Sequence, residues 1–414
     1  MGASATVAAP ERIVSIDLLR GLDVLLMLFV NELAGVRGAP AFLLHTPSSA
    51  DGLTITDVVF PAFLFITGMA LPFALGARLR RGDTRASVWR HVLVRSAGLL
   101  VLGALMVNAE RASEGGLLSG EVWNVLMTIA VVLAWQAPAR SGDPAGFARW
   151  RWVGVALLVV LAFLYRGGDV GGVIQLRPHW WGILGLIGWA YLVAASVYLL
   201  GGERPGLLAG ATALLYCLYL ADEAGHAAWL VALHPIVNVG RNLGSHAGVT
   251  LSGVLLGVLL VRHRREAQPP RAFVTPALSY AAGLATAGWL LYALRDLDRA
   301  FWINKVLATA PWCLLTSAIT TVVWVVVFAL TDVGTFSAVP KVVAMAGENA
   351  LVAYLLAPFL LSAFALSGSL FGAANFYEGL SQPVGLGMLR SALFAYLVVR
   401  LCGALRSLGV RMQL

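Results

Sequence analysis

Residues 31–57 read NELAGVRGAPAFLLHTPSSADGLTITD, and residues 58–73 continue as VVFPAFLFITGMALPF. The stretch leaves one apolar run, SIDLLRGLDVLLMLFV at 15–30, and enters a second after a short loop of Pro, Ser, Gly and Asp. Two such runs joined by turn-forming residues are the pattern of consecutive transmembrane helices. Composition extends this reading to the whole chain: 414 residues, 59% hydrophobic and 12% charged, with a mean hydropathy of +0.82. Such a chain is a polytopic membrane protein rather than a soluble domain.

Apolar runs near the length of a span fall at 17–37, 56–78, 89–108, 121–138, 150–166, 179–200, 205–221, 247–263, 273–294, 306–331, 342–366 and 385–404. The expected fold is therefore all-α. It is an integral membrane protein of about 12 (10–12) transmembrane helices forming a single domain over 1–414, with no soluble domain, no internal repeat and no low-complexity stretch. Arg12 and Arg20 ahead of LLMLFV imitate an export signal, but Asp17 and Asp23 inside the run favour a retained first span.

The net charge of +8 reads here as orientation rather than as a nucleic-acid footprint. With both termini cytoplasmic, twenty of the 29 basic residues fall inside, and nine (Arg37, Arg111, Arg166, Arg177, Arg241, Arg295, Arg299, Lys305 and Arg390) fall outside. That asymmetry makes the loop bearing His45 extracytoplasmic, and the expected location is a bacterial inner (cell) membrane. Cys217, Cys313 and Cys402 stand alone in apolar runs, so neither a disulfide framework nor a metal site is expected.

Several polar residues are placed where chemistry is available. Asp17, Arg20 and Asp23 lie three apart, so they share one side of a helix and can pair. Asn31 lies eleven residues after Arg20, about 16 Å along the axis. His45 reads either as an ordinary solvated interfacial histidine or as a base or nucleophile, the one side chain whose ordinary titration spans neutral pH. Asp57 either caps the second helix, in competition with Thr54 and Thr56, or fixes the tautomer of an imidazole. His179, His226, His234 and His246 read as solvated loop histidines, since their spacing fits no ligand pattern. The basic cluster Arg78 to Arg95 reads as an orientation signal on anionic headgroups, or in part as a cradle for phosphates.

The residues Asp17, Arg20, Gly21, Asn31, His45, Gly52, Leu53, Thr54, Asp57, Phe60 and Pro61, in this order, resemble the start of heparan-alpha-glucosaminide N-acetyltransferase and its bacterial relatives. In that family an S-x-D-x-x-R-G segment opens the first core helix, an Asn stands near its end, and a His precedes a G-L-T-x-x-D-x-V-F-P entry to the next. The best-matched core is 12–138 and 301–366, with the middle helices 150–221 less closely matched. Within 301–366, WINKVLATAPW resembles an N-K pair opening a long helix, giving Asn304 and Lys305, and MAGENALVAYLLAP resembles a G-x-N start, giving Gly347 and Asn349. An R-x-x-G-V-L-Q-R pattern common among relatives is replaced by EVWNVLMTIAVVLAW.

The resemblance implies a membrane acyltransferase that moves an acetyl group from cytoplasmic acetyl-CoA to an amino or hydroxyl group of an extracytoplasmic sugar or glycan. It implies His45 as base or acyl carrier, assisted by Asn31 and oriented by Asp57, and it implies Arg20, Asp17, Asn304, Lys305 and Asn349 around the coenzyme A thioester. Membrane lipids are the expected surroundings, a homodimer is compatible, and nucleic acid is not an expected partner. The alternative from a different class is a transporter or flippase of a sugar or lipid-linked sugar without covalent chemistry, since twelve spans with buried polar residues suit that as well.

Overall fold

The computed structural model describes residues 13–112, 117–136, 144–167, 176–334, 340–370, 375–410 and 412. Arg12, Arg140 and Arg411, counted above among the inner basic residues, lie outside these. Among the described residues twelve helices have 16 residues or more. They are α1 (Val14–Leu33), α2 (Ile55–Arg80), α3 (Arg85–Ala109), α4 (Gly120–Trp135), α5 (Pro144–Leu164), α6 (Gly182–Gly201), α7 (Pro205–Glu223), α8 (His246–Arg265), α9 (Val274–Tyr292), α10 (Ala310–Phe328), α11 (Ala350–Leu370) and α12 (Val384–Ser407). Each of the twelve apolar runs corresponds to one of them. Nine are long and apolar enough to cross a membrane. Of the others, α4 is shorter, at 16 residues, and α1 carries Asp17, Arg20 and Asp23 in its first half.

One expected span is divided. The run 342–366 is a short helix, Lys341–Glu348, then a break at Asn349 and the start of α11 at Ala350. Asn349 leaves the helical region at φ −131°, and Gly347 lies against the Asp17 carbonyl and Gly21 of α1, where a side chain would not fit. The break lets the short helix pack along α1 while α11 takes its own direction.

The most extensive helix pair is α2 with α8, and α8 is buried along nearly its whole length. Small residues make this contact possible in a setting where apolar burial gives no preference for protein over lipid. A Cβ on Gly68 of α2 would collide with the Thr250 carbonyl, and one on Gly253 of α8 with the Phe65 carbonyl, so the two backbones touch. Around this pair lie α1, α3, α6 and α10.

Loops gather at two ends. At one, the His45 loop meets the 293–309 loop, Tyr219 of α7 donates to the Leu307 carbonyl, and Tyr377 donates to the Glu32 carboxylate. At the other, Arg265 pairs with Glu203, and the Ser15 amide donates to Asp332.

Candidate active site

The site begins with a missing hydrogen. Pro61 has no N–H, so the Asp57 carbonyl one turn earlier in α2 lacks its helical partner. The indole of Trp312 on α10, fully buried, donates to that carbonyl at 3.2 Å and ties the first turn of α2 to α10. The Asp57 carboxylate is itself fully buried. Its Oδ2 accepts from the Thr46 amide at 3.1 Å, the Thr54 amide at 3.3 Å and the Thr54 hydroxyl at 3.0 Å, and its Oδ1 stands 2.9 Å from Nδ1 of His45. Thr54 takes the N-cap position, Asp57 closes a reciprocal capping box with it at N3, and the same carboxylate meets the imidazole. A carboxylate only accepts, so the ring proton sits on Nδ1 and the lone pair on Nε2.

The loop carrying His45 is held by the loop before α10. Asn304, fully buried, donates to the Pro47 carbonyl at 3.0 Å and the Ala50 carbonyl at 2.7 Å. The Ile303 amide donates to Asp51 at 2.8 Å, and the Gly52 amide returns a bond to the Ile303 carbonyl at 2.9 Å. The next residue, Lys305, brings Nζ to 3.2 Å from both ring nitrogens of His45. Burial pulls its ammonium down to about 8, against the Asp57 carboxylate, which favours the charge.

His45, Lys305, Asn31 and Thr56 form one end of a cavity of about 460 Å³, inside the roughly 300–1,000 Å³ usual for small-molecule sites. α2 lines it from Thr56 to Leu75, which at 1.5 Å per residue is about 28 Å of helix. Below the histidine the walls are apolar, with Phe60, Phe63, Leu184 and Ile187. Further along, Arg20, His91 and Arg95 enter the wall. The Arg95 guanidinium lies over the Tyr191 ring at 5.0 Å, and its Nε is buried without a hydrogen-bond partner. A buried orphan donor on a permanent cation, inside a cavity, fits an anionic group such as a phosphate.

The expected site residues therefore divide. Arg20, Asn31, His45 and Lys305 share the cavity, with Asp57 directly behind the histidine. Asp17 pairs with Arg20 at 3.0 Å but does not line the cavity. Asn304 spends its amide on the His45 loop, and Asn349 sits at the helix break between two lining residues, Glu348 and Ala350. The sequence reading did not single out His91 or Tyr191. The signal for His91 was its four-residue spacing from Arg95, which puts both on one face of α3.

One histidine is corrected. His246 is not a solvated loop residue: it opens α8, is 5% exposed, and meets the rings of Phe60 and Trp312 edge-on at 5.3 and 6.4 Å. It was misread because it follows a polar stretch, RNLGS, that coils into the bundle instead of out of it. His234 is also tied down, to the Asp222 carboxylate at 3.0 Å.

Residues 12–166 match the family described as "Heparan-alpha-glucosaminide N-acetyltransferase, catalytic". The matched segment carries Arg20, Asn31, His45, Asp57, His91 and Arg95, six of the residues just described. The chain is also 34% identical over 101 residues to heparan-alpha-glucosaminide N-acetyltransferase of Homo sapiens, covering 24% of this chain and 14% of that protein. Its likeness to the Mus musculus protein of the same name is 33% over 101 residues, 24% of this chain and 15% of the relative. The resemblance read from the motif residues Asp17 to Pro61 is thus shown, over a segment that spans about a seventh of either relative.

Proposed function

We propose that the protein is a membrane-bound acetyltransferase that takes an acetyl group from acetyl-CoA and delivers it to an amino or hydroxyl group of a sugar or glycan. The observation that carries this reading is one continuous cavity with the His45–Asp57 pair at one end and Arg20, His91 and Arg95, whose buried Nε has no hydrogen-bond partner, toward the other. Coenzyme A brings phosphates for the arginines and a thioester for the histidine, and the apolar stretch between suits the arm that joins them. The donor enters from the cytoplasm, and the His45 loop faces the extracytoplasmic side, as the distribution of basic residues favours.

At the histidine end, Nε2 of His45 takes the proton of the acceptor's amine or hydroxyl, or attacks the thioester carbonyl itself. Asp57 holds the ring with its lone pair facing the cavity and stabilises the imidazolium that forms. The Asn31 amide, on the same wall, donates to the oxygen that gains charge.

The test uses sealed inside-out vesicles carrying the protein, with acetyl-CoA outside and a panel of amino sugars and neutral sugars inside. Release of free CoA that depends on an enclosed acceptor is expected. His45→Ala should lower it on the order of a hundredfold to ten-thousandfold while acetyl-CoA still raises the melting temperature of the purified variant. CoA release at the wild-type rate by His45→Ala, or none from the wild type with any acceptor, would sink the reading.

A further inference from the structure

Of the 29 basic side chains, only Lys305 and Lys341 are lysines. The chain uses arginine almost everywhere a cation is wanted, at helix ends, in ion pairs and in the cavity wall. Arginine stays charged at any physiological pH, whereas an amine can lose its proton and become a nucleophile. One of the two amines stands beside the candidate reactive histidine.

We propose that Lys305 is a self-acetylation site: without an acceptor, the acetyl group is transferred to its Nζ and the site silences itself. This rests on the acetyltransferase reading above.

The geometry is that of a reaction waiting for its donor. Nζ lies 3.2 Å from Nε2 of His45 and equally far from Nδ1. At that distance the imidazole is within reach of the amine's proton. The amine is half-buried, lines the same cavity as His45, and is fixed by Asn304 through the His45 loop. In the reaction the carbonyl–sulfur bond of acetyl-CoA breaks and a carbonyl–Nζ amide bond forms. The proton lost from Nζ passes to Nε2 of His45 and from there to the departing thiolate, so acetyl-CoA and amine give acetyl-lysine and CoA with no other reactant.

The groups facing Nζ are His45 and Asp57, with His246 of α8 also within electrostatic reach. With burial holding the amine at about 8, about one in five is neutral at pH 7.4, against about one in a thousand for an ordinary lysine. An amide, unlike an acyl-imidazole, does not pass its acyl group on. Acetyl-Lys305 therefore removes the cation from beside His45 and leaves the acetyl group in the space the thioester needs. A sugar in the site competes for the same acetyl group, so a supplied acceptor protects the protein.

The test incubates the purified full chain with acetyl-CoA and no acceptor, then maps acetyl groups on the Lys305 and Lys341 peptides by mass spectrometry before and after hydroxylamine. Hydroxylamine-resistant acetylation is expected at Lys305 and not at Lys341, with a rate that rises with pH and levels off above about 8. It should be suppressed by an acceptor sugar and accompanied by parallel loss of transfer activity. In Lys305→Arg no acetyl group should appear at that position. CoA release to a sugar with Lys305 left unmodified, or equal labelling of both lysines, overturns the inference alone. Absence of CoA release under every condition overturns the acetyltransferase reading and this inference with it.

Discussion

Asp57 holds the histidine and starts the helix with the same two oxygens, so its replacements separate two functions. Asp57→Asn keeps the size and an acceptor oxygen, but its amide can present N–H where only a lone pair serves, and the His45 ring loses its fixed tautomer. We expect kcat to fall by about a hundredfold or more, since the imidazole's contribution to proton transfer is of that order. Stability should change by only about 1 kcal/mol, the scale of a capping contact. A fall in kcat that tracks the unfolded fraction would show Asp57 to be a cap and nothing else. Much of this was legible: a Thr-x-x-Asp pair at the mouth of an apolar run is a capping signal, and a histidine twelve residues upstream is within a loop's reach. The link from Pro61 to Trp312 was not, because it depends on which helix packs beside the vacated carbonyl, and local pattern carries no information on that. The same holds for His45 and Lys305, 260 positions apart and brought together by the amide of Asn304.

At the scale of elements, hydropathy located every long helix among the described residues, because the bilayer sets both their length and their polarity. What hydropathy could not locate was the break at Asn349 or the burial of His246, since both follow from packing rather than composition. The order of helices around the cavity was equally hidden. The glycines of α2 and α8 were readable as small residues but not as partners. Their role gives a sharp expectation. Gly253→Val would push a branched side chain into the Phe65 carbonyl on the neighbouring helix, and overpacking of this kind costs about 1–3 kcal/mol or more. Thermal unfolding in detergent should show a clear loss of melting temperature. The same change at Gly283, which has open space around it, should be nearly neutral. Equal effects at the two positions would mean that the α2–α8 contact is not close.

For the whole molecule, the sequence supplied a membrane fold and, through the motif residues, half of the candidate site. Arg95 was legible only as one end of a basic cluster that could cradle phosphates; its partner Tyr191 emerged once α3 and α6 were seen to face one cavity. The apolar walls between that arginine and His45, formed by Phe60, Phe63, Leu184 and Ile187, also act as an insulator. A charge carried across a membrane at 100 mV gains or loses about 2.3 kcal/mol, and most of that drop falls across the least polar stretch of the path. On the proposed reading the phosphates remain on one side of this stretch and only an uncharged acetyl group lies beyond it. The reaction is then electrically silent: in proteoliposomes, a potential set by potassium and valinomycin should leave the rate of transfer unchanged in either polarity. A rate that follows the voltage would mean that charge, and not only an acyl group, crosses between Arg95 and His45.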